Sequence, residues 1–127
     1  MVRERALRVV LVLVGLFFSA AAWPAIGGLF NPVQSDTGDT MQMAIYACLG
    51  VFLLIAVRNP AAHRSLIAFT AWSSFAHAAV MSTLGFEMPS QRTGFLIASA
   101  ILVVIGVVLI VLAPAKPPQQ QPGAAAL

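Results

Sequence analysis

An all-α membrane protein, built as a four-transmembrane-helix up-down bundle, is the fold class this sequence predicts. Three observations predict it. The 127 residues are 60% hydrophobic and only 9% charged, where a soluble domain carries about 25% charge. The apolar residues fall in four runs separated by Pro, Gly, Asn and charged residues. The cationic residues cluster at the ends of alternate runs. The runs are continuously apolar and not alternating, which favours helices over a barrel.

The four runs are helices of about 9–30, 41–57, 65–85 and 94–113, close to the roughly 17–25 residues that a spanning helix needs. The first is interrupted by Pro24 and Gly27-Gly28 and closed by Asn31-Pro32. Thr37, Asp39 and Thr40 offer caps for the second. Asn59-Pro60 closes it, because a residue before proline is pushed out of the helical region. Ser65 or His63 opens the third. Pro89-Ser90 separates the third from the fourth, which Thr93 can cap and Pro114 ends. The domain organisation is a helical unit, 1–113, followed by a flexible tail, 114–127, whose Pro, Gln and Ala content cannot pack a core.

Orientation follows from the cations. Arg3, Arg5 and Arg8 precede the first helix, Arg58 and Arg64 lie between the second and third, and Lys116 follows the fourth. Simple alternation puts these six on one side, leaving Arg92 with Asp36, Asp39 and Glu87 on the other. The positive-inside rule then places both termini in the cytoplasm. The Arg-rich start and the Ser-Ala-Ala-Ala at 19–22 have the look of a signal peptide. The apolar run continues to Phe30, which favours a retained helix.

The composition also excludes chemistry. Cys48 is the one cysteine, so there is no intramolecular disulfide and no cysteine-rich metal site. All four acidic residues fall outside the apolar runs or at their ends. That leaves no carboxylate pair for general acid–base work, no tetrahedral metal set and no midplane carboxylate of the kind a proton-coupled transporter carries. The net charge of +3 is too small and scattered for a nucleic-acid surface.

The third run carries what chemistry there is. His63, Thr70 and His77 recur every seven residues, two helical turns, with Ser73, Ser74 and Met81 close to the same line. A polar stripe on a membrane helix faces the bundle interior. The candidate ligand-binding residues are therefore His77, Thr70, Ser73, Ser74 and Met81, together with Trp72, expected to pack between helices. Two readings stand beside each other. In one, the hydroxyls bond their own helix and His77 is a neutral interhelical group, each such bond worth about 0.6–2 kcal/mol. In the other, the stripe lines a cavity or contacts a bound group. His63 and His77 lie fourteen residues apart, about 21 Å along a helix, a spacing similar to that of the paired haem ligands of cytochrome b proteins. Haem would still need a second axial ligand from Met81 or another chain. Gly15 and Ser19, and Gly94 and Ala98, form small-xxx-small surfaces that let helices approach closely.

The run HRSLIAFTAWSSFAHAAVM, from His63 to Met81, resembles a family of small bacterial four-helix membrane proteins of unknown function. IYACLGVFLLIAVRNP in the second helix fits the same pattern, and the layout is loosely similar to the DoxX-like group. The resemblance implies a bacterial inner (plasma) membrane location and an up-down bundle. It implies no activity and carries over no catalytic residue.

The expected function is that of a small integral membrane protein, a non-catalytic accessory subunit or scaffold of a membrane complex. The alternatives are a haem- or quinone-binding redox protein using His77, and an oligomeric small-molecule or ion permease. No cofactor is required by the sequence. The partners expected are the lipid bilayer and other membrane subunits or further copies of the chain, with no nucleic acid.

Overall fold

The computed structural model describes residues 2–34 and 36–114. The expected tail lies outside the described residues from position 115 onward. Five α-helices follow one another: α1 (Val2–Ser19), α2 (Ala22–Phe30), α3 (Thr37–Ala56), α4 (Arg64–Glu87) and α5 (Arg92–Leu112), with a 3-10 turn at Pro60–His63 before α4.

The first apolar run is thus two helices, and the break falls at 20–21, upstream of Pro24. Proline has no N–H for the carbonyl four residues back, and its ring crowds that carbonyl. Here that carbonyl belongs to Ala20, which instead accepts from Trp23 N at 3.1 Å, while Ala21 N donates to Phe18 O at 3.0 Å. The chain tightens for one turn and α2 resumes with Pro24 in its first turn, where an N–H has no intrahelical partner to lose.

The caps differ from the sequence expectation. Asp36, and not Thr37, Asp39 or Thr40, caps α3: its Oδ1 accepts from Gly38 N at 2.7 Å and Asp39 N at 3.3 Å. Those are the second and third N–H groups of the helix, the pair an N-cap carboxylate reaches. Thr40 Oγ1 turns back and donates to Asp36 O at 3.0 Å. Thr93 is the second residue inside α5, and Gln91 precedes the helix without a side-chain cap. The neighbouring Arg92 donates to Gly85 O and Phe86 O, both at 3.2 Å. It satisfies carbonyls that the end of α4 leaves without partners.

The helices pack as two close pairs. In α1 with α3, Gly15 and Gly50 face each other so closely that a Cβ on Gly50 would run into the Ser19 backbone and the Gly15 carbonyl. In α4 with α5, Gly106 lies under the Phe75 ring, and Ser99 Oγ donates to Phe95 O at 2.8 Å while reaching Ala78 O of α4 at 3.2 Å. Of the two glycines in α5, Gly106 makes the close approach, and Gly94, expected to do so from its spacing with Ala98, meets open space.

The pairs join through one core that includes Leu7, Leu11, Leu53, Ile67, Ala71 and Leu109. At one end Arg3 donates to Val111 O at 3.1 Å and Ala113 O at 2.8 Å, and Arg64 donates to Pro114 O at 2.9 Å. Two guanidinium groups therefore cap the C-terminal end of α5, where the helix dipole favours positive charge. The starts of α1 and α4 and the end of α5 share that end.

Large apolar side chains cover the outside, among them Leu13, Phe17, Ile45, Phe52, Phe69, Val104 and Val111. Three stretches are long and apolar enough to cross a membrane: Val2–Phe30, Thr37–Ala56 and Arg92–Leu112. The sequence expectation was four. α4 has the length, at 24 residues, but its seven hydroxyl and imidazole groups from Ser65 to Thr83 dilute its apolar character. The structure turns Thr70 and Ser74 inward and leaves Phe69, Trp72, Ala76 and Val80 on the outside. The exposed residues of α4 from Ala68 to Val80 are all apolar.

Candidate functional site: an apolar cavity at His77

His77 stands thirteen residues into α4, about 20 Å from the Arg64 end at 1.5 Å per residue. Its partners come from α3. Gln42 and Tyr46 are four residues apart and share one face of that helix. Gln42 Nε2 lies 3.5 Å from His77 Nδ1, at the long end of hydrogen bonding. The Tyr46 ring meets the imidazole edge-on, with centroids 5.4 Å apart and planes at 65°. Phe18 of α1 stacks beside Tyr46 at 4.9 Å, tilted by 50°, and Phe17 follows at 5.7 Å. Offset and edge-on contacts of this kind add about 0.5–1.5 kcal/mol beyond burial.

These rings wall a cavity of about 370 Å3. α1 supplies Phe17 and Phe18, and the helix break supplies Ala20, Ala21 and Pro24. Met43 and Tyr46 come from α3, His77 and Met81 from α4, and Ala98, Ile101 and Leu102 from α5. The break that Pro24 imposes is thus part of the wall. Phe17, Pro24 and Ile101 are also exposed on the outside of the bundle, so the cavity opens sideways between helices. Its volume lies at the small end of ligand pockets, which run about 300–1,000 Å3. Its lining is apolar with few polar groups, the usual composition of such pockets.

Of the residues singled out from sequence, His77 and Met81 line this cavity, and Thr70, Ser73, Ser74 and Trp72 do not. Thr70 and Ser74 are 0% and 1% exposed. Thr70 Oγ1 donates to Leu66 O at 2.8 Å, Ser74 Oγ to Thr70 O at 2.7 Å and Ser73 Oγ to the same carbonyl at 3.2 Å. Their hydroxyls are spent within α4. Trp72 is 65% exposed and packs edge-on against Phe75 at 5.6 Å, on the outer face and not between helices. Position 72 shares a side of the helix with Phe69 and Ala76, three and four residues away. His63 closes the 3-10 turn at the far end of the bundle and bonds Asn59 O through Nδ1 at 3.0 Å. It does not join His77. Among the described residues no three of His, Cys, Asp and Glu come together as metal ligands would. Cys48 is exposed on α3.

Sequence reasoning missed Gln42 and Tyr46. Gln42 is the one carboxamide inside an apolar run, and Tyr46 follows it by one turn. That pair was the available signal.

A second cavity of about 340 Å3 lies at the arginine end, lined in part by Arg3, Glu4, Asn59 and Pro114. Its charges are already engaged: Arg3 with the α5 carbonyls, Glu4 with Arg8 at 2.8 Å.

An all-helical chain with three stretches able to cross a membrane, and an apolar cavity walled by aromatic rings, defines the class. Residues 2–127 match the model described as "Family of unknown function (DUF6632)", and the chain belongs to that family. No curated protein matches the chain, and no solved structure does.

Proposed function

We propose that this protein is a four-span integral membrane protein, without catalytic activity of its own, that holds a small apolar molecule between its helices. The single observation that carries the reading is the cavity at His77. It is apolar, of ligand size and open on the outward surface of the bundle, so in a bilayer its mouth meets lipid. A guest enters from the membrane without crossing water. The role is that of an accessory or scaffold subunit with lipid and other membrane subunits as its partners, and the resemblance of the run from His63 to Met81 implies a bacterial inner membrane.

Both termini lie in the cytoplasm on this reading. Arg3, Arg5, Arg8, Arg58 and Arg64 gather at one end of the helices, against Arg92 with Asp36, Asp39 and Glu87 at the other. That asymmetry supports the orientation. α4 counts as the fourth span because Thr70 and Ser74 turn inward and its exposed residues from Ala68 to Val80 are all apolar.

Binding of an apolar fluorophore tests the reading. Purified protein in lipid nanodiscs is expected to bind 2-methylnaphthalene saturably, one per chain. Ala98→Phe, which places a ring in the cavity from α5, is expected to remove that binding. Partition into the protein-free nanodisc alone, unchanged by the protein or the variant, contradicts it.

A further inference from the structure

The cavity is apolar except at His77 and Tyr46, and the His77 ring has a direction. Gln42 Nε2 lies 3.5 Å from His77 Nδ1; an amide nitrogen only donates, so a hydrogen bond there makes Nδ1 the accepting nitrogen of the ring. A neutral imidazole with an accepting Nδ1 carries its hydrogen on Nε2. His77 lines the cavity, and the Tyr46 and His77 rings meet at 65° with centroids 5.4 Å apart. No Lys, Arg, Asp or Glu lines the cavity, so an ionised guest would lose its hydration with no countercharge to replace it.

We propose that the guest is an uncharged, flat hydrophobe bearing an acceptor oxygen, a carbonyl in the simplest case, which takes a hydrogen bond from His77 Nε2–H. This rests on the reading of the cavity as a ligand site. It goes beyond it by naming the chemistry that orients the guest. Phe18 and Tyr46 supply the faces against which a planar body lies. Gln42 is the positioning residue: it fixes the tautomer and so the polarity of the handle. A ring in this state has its Nδ1 lone pair engaged and its Nε2 protonated, so it offers a donor and no free lone pair. That chemistry suits a carbonyl oxygen.

With two histidines in the chain, 15N-labelled imidazole reads the site directly, and His63 serves as the internal control. The probes are 2-methyl-1,4-naphthoquinone and 2-methylnaphthalene, alike in shape except for the two carbonyl oxygens. Both are expected to bind in nanodiscs. The quinone alone is expected to move the protonated Nε2 signal of His77. His77→Phe, which keeps a ring beside Tyr46, is expected to weaken quinone binding roughly two- to tenfold, the worth of one neutral hydrogen bond, and to leave the hydrocarbon unchanged. Three results would overturn the proposal: an unprotonated Nε2 in the free protein, a bound quinone that leaves the His77 signals in place, or equal weakening of both probes by His77→Phe. Failure of both probes to bind would instead remove the ligand-site reading on which it rests.

Discussion

His77 and Gln42 are thirty-five residues apart in the chain and 3.5 Å apart in space. The periodicity of α4 made the inward face of His77 legible, because two turns of one helix bring seven-residue spacings into line. It did not reveal the group across from it, which sits on another helix. The same periodicity also brings in residues that do not line the cavity. Thr70, Ser73 and Ser74 share the polar line, yet each hydroxyl bonds a carbonyl of its own helix. A Thr70→Val variant loses a bond satisfied within the helix and gains a methyl of similar size. It is expected to cost no more than about 1 kcal/mol, within the range of such bonds in membranes, and to leave binding of the methylnaphthalene probe unaltered. Detergent-unfolding midpoints together with probe titration check both halves. Loss of binding in a folded Thr70→Val protein would restore Thr70 to the site. Trp72 was placed between helices from its depth alone. Its direction from the helix axis, shared with Phe69 and Ala76, sets it outside.

At the scale of the helices, local chemistry was readable and its reach was less so. Pro24 was visible as an interruption, but a proline acts on the carbonyl four residues back. The break therefore falls at 20–21 and becomes cavity wall. Small residues also read ambiguously in sequence, since Gly50 and Gly94 look alike and only packing separates them. A methyl on Gly50 meets the backbone of α1, which cannot yield as a side-chain tip would. Gly50→Ala is expected to destabilise the α1–α3 pair by about 1–3 kcal/mol, as overpacking does. A methyl on Gly94 meets nothing within 4 Å. Gly94→Ala is expected to be neutral or to stabilise by about 0.4–1 kcal/mol, through the unfolded chain. Thermal unfolding in one detergent compares the two. Equal effects would mean that the α1–α3 approach is looser than described.

Across the whole molecule, charge distribution and apolar surface point to the same arrangement. Five of the six arginines sit at one end, where two of them also cap α5, and large apolar side chains cover the helix flanks. The one native cysteine makes the topology testable. In a Cys48→Ala background, Ser90→Cys is expected to react with a membrane-impermeant maleimide applied to intact cells, and Ala61→Cys only after the membrane is opened. The reverse pattern would invert the bundle, and free reaction of both would remove it from the membrane.

The central claim, that the cavity at His77 holds a small apolar molecule, is tested most directly by native mass spectrometry. The protein is released from its own membrane in mild detergent, beside its Ala98→Phe variant. The account predicts that the wild type carries one bound apolar molecule per chain and that the variant, equally folded, carries none. A wild-type chain that flies bare, or a guest retained equally by Ala98→Phe, would contradict it.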